Sequence, residues 1–168
     1  MSNKIKEISL LGILATILFV QEQALTFLPN VQLTVFLFIL FSKKLGLSKT
    51  LIILTLYVIL DNLVLGSFSI IFTPFMFIGW AVIPLTLCTI FRKIDSPIIL
   101  ALLSIVYAFI YSWIYFIPNM IVYKHTLIAF LTSDILFEIV LAASSFISVL
   151  WLYSPLSKLF DKINFIKQ

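Results

Sequence analysis

Six long apolar runs, each closed by a short polar or basic joint, dominate this chain and leave it few ways to fold. The chain is 62% hydrophobic and 11% charged over 168 residues, with mean hydropathy +1.22. A soluble domain averages about 25% charged residues. There is too little polar surface here to coat a soluble core, so the sequence reads as an integral membrane protein. The runs are too long, and alternate too little, for barrel strands. The expected fold is therefore an all-α bundle, a single transmembrane domain over residues 1–168.

A membrane-crossing helix needs about 20 mainly apolar residues. On that measure the spans fall at roughly 8–25, 31–41, 47–65, 70–91, 97–117 and 133–153, the second being short. Lys4 and Lys6 precede the first run and no small-x-small cleavage site follows it, so the run is expected to be a retained helix. Six spans put both termini on one side. Lys4, Lys6, Lys43, Lys44, Lys49, Arg92, Lys93, Lys158, Lys162 and Lys167 then share the terminal side, and Lys124 alone lies opposite. The positive-inside rule makes both termini cytoplasmic.

With that orientation the polar side chains gather in the outer half. Gln21, Glu22 and Gln23 end helix 1, and Asn30 and Gln32 open helix 2. Asp61 and Asn62 lie near the outer end of helix 3. Tyr107, Tyr111 and Tyr115 form a stripe on helix 5 with Trp113, and Asn119 follows. Asp134 and Glu138 stand one turn apart at the head of helix 6. Ionisable groups in a span usually face a bundle interior or an aqueous cavity. A channel would carry polar residues along its full length; this pattern reads as a cup open to the outside. Aromatics with a few placed polar groups are the usual form of a small-ligand site.

Each residue also has a plainer role. Tyr111, Trp113 and Tyr115 suit an interfacial belt. Asp134 suits a helix cap or dipole partner, whereas Glu138, a turn deeper, is read as facing a ligand. Asp61 and Asn62 suit an inter-helix hydrogen bond. The 118–133 segment is expected to lie on the outer surface and cover the cup, with 26–30 as a second lid.

Nothing in the chain supplies energy or chemistry. There is no GxxxxGK[ST] motif, and one histidine with one cysteine, Cys88, offers no metal set, no cofactor site and no internal disulfide. The placement of the cations explains the +4 charge without nucleic acid. Gly12 and Thr16, with Ala15 beside them, would let a partner helix approach helix 1.

Taken in order, "LPNVQLTVFLFIL" (28–40), "DNLVLGSFSIIFTPFMFIGWAVIPL" (61–85), "SDILFEIVLAASSF" (133–146) and "LYSPLSKLF" (152–160) resemble an S-component, the substrate-binding membrane subunit of an energy-coupling factor (ECF) vitamin transporter. The small-residue face of helix 1 stands where that family carries Ala-x-x-x-Ala; the literal motif is absent. The resemblance implies an outward-facing site for a vitamin or related heterocycle, a membrane coupling subunit, two cytosolic ATPases as partners, and a prokaryotic plasma membrane. The chain itself would not be an enzyme. Few cations lie near the site, which favours a neutral or cationic heterocycle over a phosphate ester. A stand-alone proton-coupled transporter, a structural membrane subunit and a membrane enzyme built on Asp61, Asp134 and Glu138 are the competing readings.

Overall fold

The computed structural model describes residues 3–66 and 68–162; Lys167, counted above among the terminal cations, lies outside them. Among the described residues there are six helices and no strand: α1 (Asn3–Ala24), α2 (Thr34–Leu45), α3 (Leu47–Val64), α4 (Phe72–Cys88), α5 (Pro97–Tyr123) and α6 (Leu127–Lys162).

Helix α2 organises the bundle. Its sequence, TVFLFILFSKKL, is apolar on every side over its first eight residues. A helix of that kind must be surrounded. Thr34 through Ser42 are all buried, and α2 is the one helix that packs against each of the other five. Phe38 shows the result: its ring meets Tyr57 of α3 edge-on at 6.0 Å and Trp80 of α4 at 5.8 Å. At 12 residues α2 is about 18 Å long, short of the roughly 30 Å of a bilayer core. The expectation that it spans is corrected to this: its apolar surface faces protein.

The helices alternate in direction. Lys44 of α2 pairs with Asp161 of α6 at 2.8 Å, and Lys49 of α3 with Glu7 of α1 at 2.8 Å. Lys43 Nζ donates to the carbonyls of Phe91 (2.8 Å) and Arg92 (3.2 Å), just past α4. These residues mark one terminal end of the bundle. Gly46 alone joins α2 to α3, with φ +79°, a conformation that favours glycine. The opposite end, called the far end below, carries the 25–33 loop and the α3–α4 and α5–α6 turns.

Helices α3, α5 and α6 are long and apolar enough to cross a membrane, and α4 is a shorter apolar helix of 17 residues. Their outward surfaces present large apolar side chains, among them Ile52, Ile59, Leu102, Val106, Ile139 and Leu150. Such a surface is compatible with lipid.

The far end differs most from expectation. The 118–133 segment does not lie across the surface. Helix α5 continues to Tyr123, and α6 begins at Leu127 and runs 36 residues, about 54 Å. Lys124, at φ +55°, closes α5 and donates its N–H to the Met120 carbonyl at 3.1 Å. The Thr126 hydroxyl accepts the Ala129 N–H at 3.3 Å and so caps α6. Asp134 therefore stands two turns inside the helix and cannot cap it.

Because α2 is buried on all sides, its packing should dominate stability. Phe38→Ala should cost about 3–5 kcal/mol, the price of emptying a large core site. Leu102→Ala, on the exposed surface of α5, should change stability by less than about 1 kcal/mol. Denaturation of the detergent-solubilised protein compares the two.

Candidate functional site

The far end is assembled around the junction of α1 and α2. Gln21 of α1 accepts the Leu33 N–H at 2.8 Å and donates to the Thr34 hydroxyl at 2.8 Å. That bidentate grip fixes where the 25–33 loop ends. The loop's other anchor is Asn30, in the left-handed region at φ +58°, whose carbonyl accepts the Ser144 hydroxyl of α6 at 3.4 Å. The 26–30 stretch, read as a lid, is thus tied to both α1 and α6.

Between this loop, α5 and α6 lies a cleft of about 400 Å³. Asn30 and Gln32 come from the loop, Tyr111, Ser112, Tyr115 and Asn119 from α5, and Asp134 from α6. Ser112 and Asp134 both stand in its lining. Phe130 and Phe137 add flat apolar surface, and His125 stands in the lining from the α5–α6 turn. The cleft can stack a planar ring and meet its edge with amides, hydroxyls and one carboxylate.

The roles of the two acids exchange. Asp134, read as a cap, lines the cleft. Glu138, read as the pocket residue, is 1% exposed, does not line the cleft, and has its Oε1 buried without a hydrogen-bond partner. The early start of α6 accounts for this, since it moves both acids inward along the bundle.

Tyr111 is held by its neighbours. It stacks on Trp80 with ring centroids 3.8 Å apart and planes 18° apart, and Tyr115 tilts against it at 5.1 Å. Gly79 permits the stack: a Cβ there would stand 2.7 Å from the Tyr111 Cδ2. Only glycine leaves this ring room.

A second cleft, of about 750 Å³, opens between α3, α4 and the end of α5. It shares Tyr115 and Asn119 with the first, so these two side chains form the partition. Asp61 and Asn62 line it. Asn62 is engaged in holding helices together: it donates to the Val58 carbonyl at 2.8 Å and accepts the Thr73 hydroxyl of α4 at 2.8 Å. Asp61 is 8% exposed and its Oδ1 has no partner. Nearby, the Tyr57 hydroxyl donates to Glu22 Oε2. Glu22 also lines a small cleft of about 190 Å³ under the 25–33 loop, together with Asn30 and Gln32.

Other expected residues lie elsewhere. Tyr107 is buried and shares a 2.7 Å hydrogen bond with Thr86 of α4; it lines neither large far-end cleft. Trp113 is 56% exposed on the outside of α5, beside Phe116, Leu127 and Leu131, and its indole lies within reach of Glu138. On α1, Ala15 is fully buried against the core, so its small size serves packing within the bundle. Gly12 and Thr16 remain on the open face, with nothing within 4 Å of a Cβ at Gly12 and the Thr16 hydroxyl bonded to the Gly12 carbonyl at 2.9 Å.

Several cleft residues escape sequence reasoning. Ser112 and Ser133 carry no pattern of their own, and Phe130 and Phe137 look like any lipid-facing aromatic. Gly79 had one legible signal, a lone glycine inside an apolar helix opposite a tyrosine stripe. No family model, no curated protein and no solved structure matches this chain.

Gly79→Ala should displace the Tyr111 ring from Trp80 and destabilise the protein by about 1–3 kcal/mol, as overpacking does. Thermal unfolding reads the loss, and a change in Trp80 fluorescence reports the broken stack.

Proposed function

We propose that this chain is the substrate-binding membrane subunit of an ECF-type importer. It captures a vitamin or related heterocyclic micronutrient at the far end of the bundle, for uptake driven by partner ATPases. The cleft walled by Asn30, Gln32, Tyr111, Asn119 and Asp134 is the single observation that carries this reading. Its volume lies in the range of small-molecule sites, about 300–1,000 Å³, and its lining mixes flat rings with a few convergent polar groups.

Three further features support it. The start of α1 and the end of α6 lie at one end of the bundle, as in a membrane protein with both termini on one side. The cations cluster at the terminal end, which by the positive-inside rule supports a cytoplasmic terminal end and an outward-facing cleft. The chain carries no nucleotide-binding motif, so the work of transport falls to a coupling subunit and two ATPases. The open Gly12–Thr16 face of α1 is the surface offered to the coupling subunit.

The test is native mass spectrometry of the purified protein, with any released small molecule identified. A stoichiometric heterocycle is the expected result. Asp134→Asn should then weaken its binding by about tenfold or more, the cost of losing a charged hydrogen-bond partner, with the fold intact. A protein that is empty, and whose melting temperature no B-group vitamin or precursor moves, would sink the reading.

A further inference from the structure

The second far-end cleft holds a buried acid with an unpartnered oxygen. Asp61 is more than nine-tenths buried, lines the cleft, and has its Oδ1 unpartnered. A buried carboxylate without a partner is costly, and it persists where something balances it. None of the residues lining this cleft is a lysine, arginine or histidine; the nearest such ring contact is His125 against Tyr123, with centroids 5.7 Å apart. Asn62, the adjacent amide, cannot serve as the partner: its nitrogen is directed to Val58 and its oxygen is taken by Thr73. Glu22 of α1, a second carboxyl group, lies close enough to interact with Asp61 electrostatically. The nearby Tyr57 hydroxyl is given to Glu22.

The walls suit the same kind of occupant. Phe72 of α4 lies between two tyrosines of α5, with ring centroids 6.1 Å from Tyr115 and 6.0 Å from Tyr123. All three rings line the cleft. Aromatic faces attract an ammonium or a charged ring within about 6 Å, and they do so more strongly where water is excluded. Anions would meet Asp61 and the negative faces of the rings, and are disfavoured on both counts.

We propose that the cleft between α3, α4 and the end of α5 takes an organic cation, an ammonium or a protonated ring nitrogen. Asp61 is its counter-ion, and Phe72, Tyr115 and Tyr123 are its aromatic wall. This rests on the reading of the far end as a ligand-binding surface and names the ligand's charge. Tyr115 and Asn119 border both clefts, so one molecule could lay its ring in the first and its cationic group in the second.

The full chain in detergent is titrated with three probes of one shape: phenethylamine, uncharged 2-phenylethanol and anionic 3-phenylpropionate. Isothermal titration calorimetry reads the affinities. The amine should bind about tenfold or more tightly than the alcohol, and the carboxylate least. Asp61→Asn should remove that preference while leaving the affinity for the alcohol unchanged. Tyr123→Leu, at an exposed position that the fold does not need, should weaken the amine about two- to fivefold. Displacement of the amine by phosphatidylethanolamine would keep the ammonium site and make a lipid headgroup its occupant. Equal affinity for all three probes, or no binding by any, overturns the inference. So does a preference for the amine that Asp61→Asn leaves intact and Asp134→Asn abolishes. That last result would put the ligand in the first cleft and leave the capture function standing.

Discussion

A twelve-residue helix buried on every side is the constraint on which this bundle depends. Helix α2 offers apolar side chains in all directions, so the other helices must close around it, and each of them touches it. Its shortness matters as much as its burial. Because α2 begins only at Thr34, the 25–33 loop must bridge from α1 to it, and this brings Asn30 and Gln32 beside α5 and α6. Gln21 secures the junction where that bridge meets α2. The first far-end cleft lies between this loop and the longer α5 and α6.

The terminal end is closed differently. There the chain ends and turns are linked by charge: Lys43 to the carbonyls beyond α4, Lys44 to Asp161, Lys49 to Glu7. These contacts tie α2 to α6 and to the end of α4, and α3 to α1, without using the apolar core. The far end relies on neutral hydrogen bonds, such as Asn62 with Thr73, and on stacked rings. One end is thus fastened by ion pairs, and at the other Asp61 and Glu138 each keep one carboxyl oxygen without a partner. That asymmetry is what a binding surface at the far end requires.

Much of this was legible in the residues, and the failures have identifiable causes. Helix α3, expected at 47–65, is found at Leu47–Val64, because Gly46 and the polar joint around it punctuate the apolar pattern sharply. The gathering of Glu22, Asp61, Asn119 and Asp134 at one end followed from counting turns. The 118–133 segment misled because Pro118 and Asn119 look like a helix end. In the structure Pro118 lies inside α5, and the true turn is the short polar run Lys124–His125–Thr126. That displacement exchanged the roles of Asp134 and Glu138. Helix α2 misled in another way, since hydropathy cannot distinguish a helix surrounded by lipid from one surrounded by protein.

The cost of the far end is also informative. Four buried polar atoms among the described residues have no hydrogen-bond partner: Asp61 Oδ1, Trp80 Nε1, Glu138 Oε1 and Ser145 Oγ. Each such group costs about 1–3 kcal/mol, and more if charged. They are not scattered. Asp61 lines one cleft, Glu138 lies a turn from the Asp134 that lines the other, Trp80 supports the Tyr111 ring of that cleft, and Ser145 lies two turns beyond Glu138 on α6. A fold selected for stability alone would replace these groups with apolar ones of similar size, and α2 shows that this chain can pack an apolar interior densely. Of the four only Asp61 lines a cleft, so its retention is the one that a ligand bound there could explain. The Gly79 contact points the same way, because a glycine inside a helix weakens it, and here its return is the position of a single tyrosine ring.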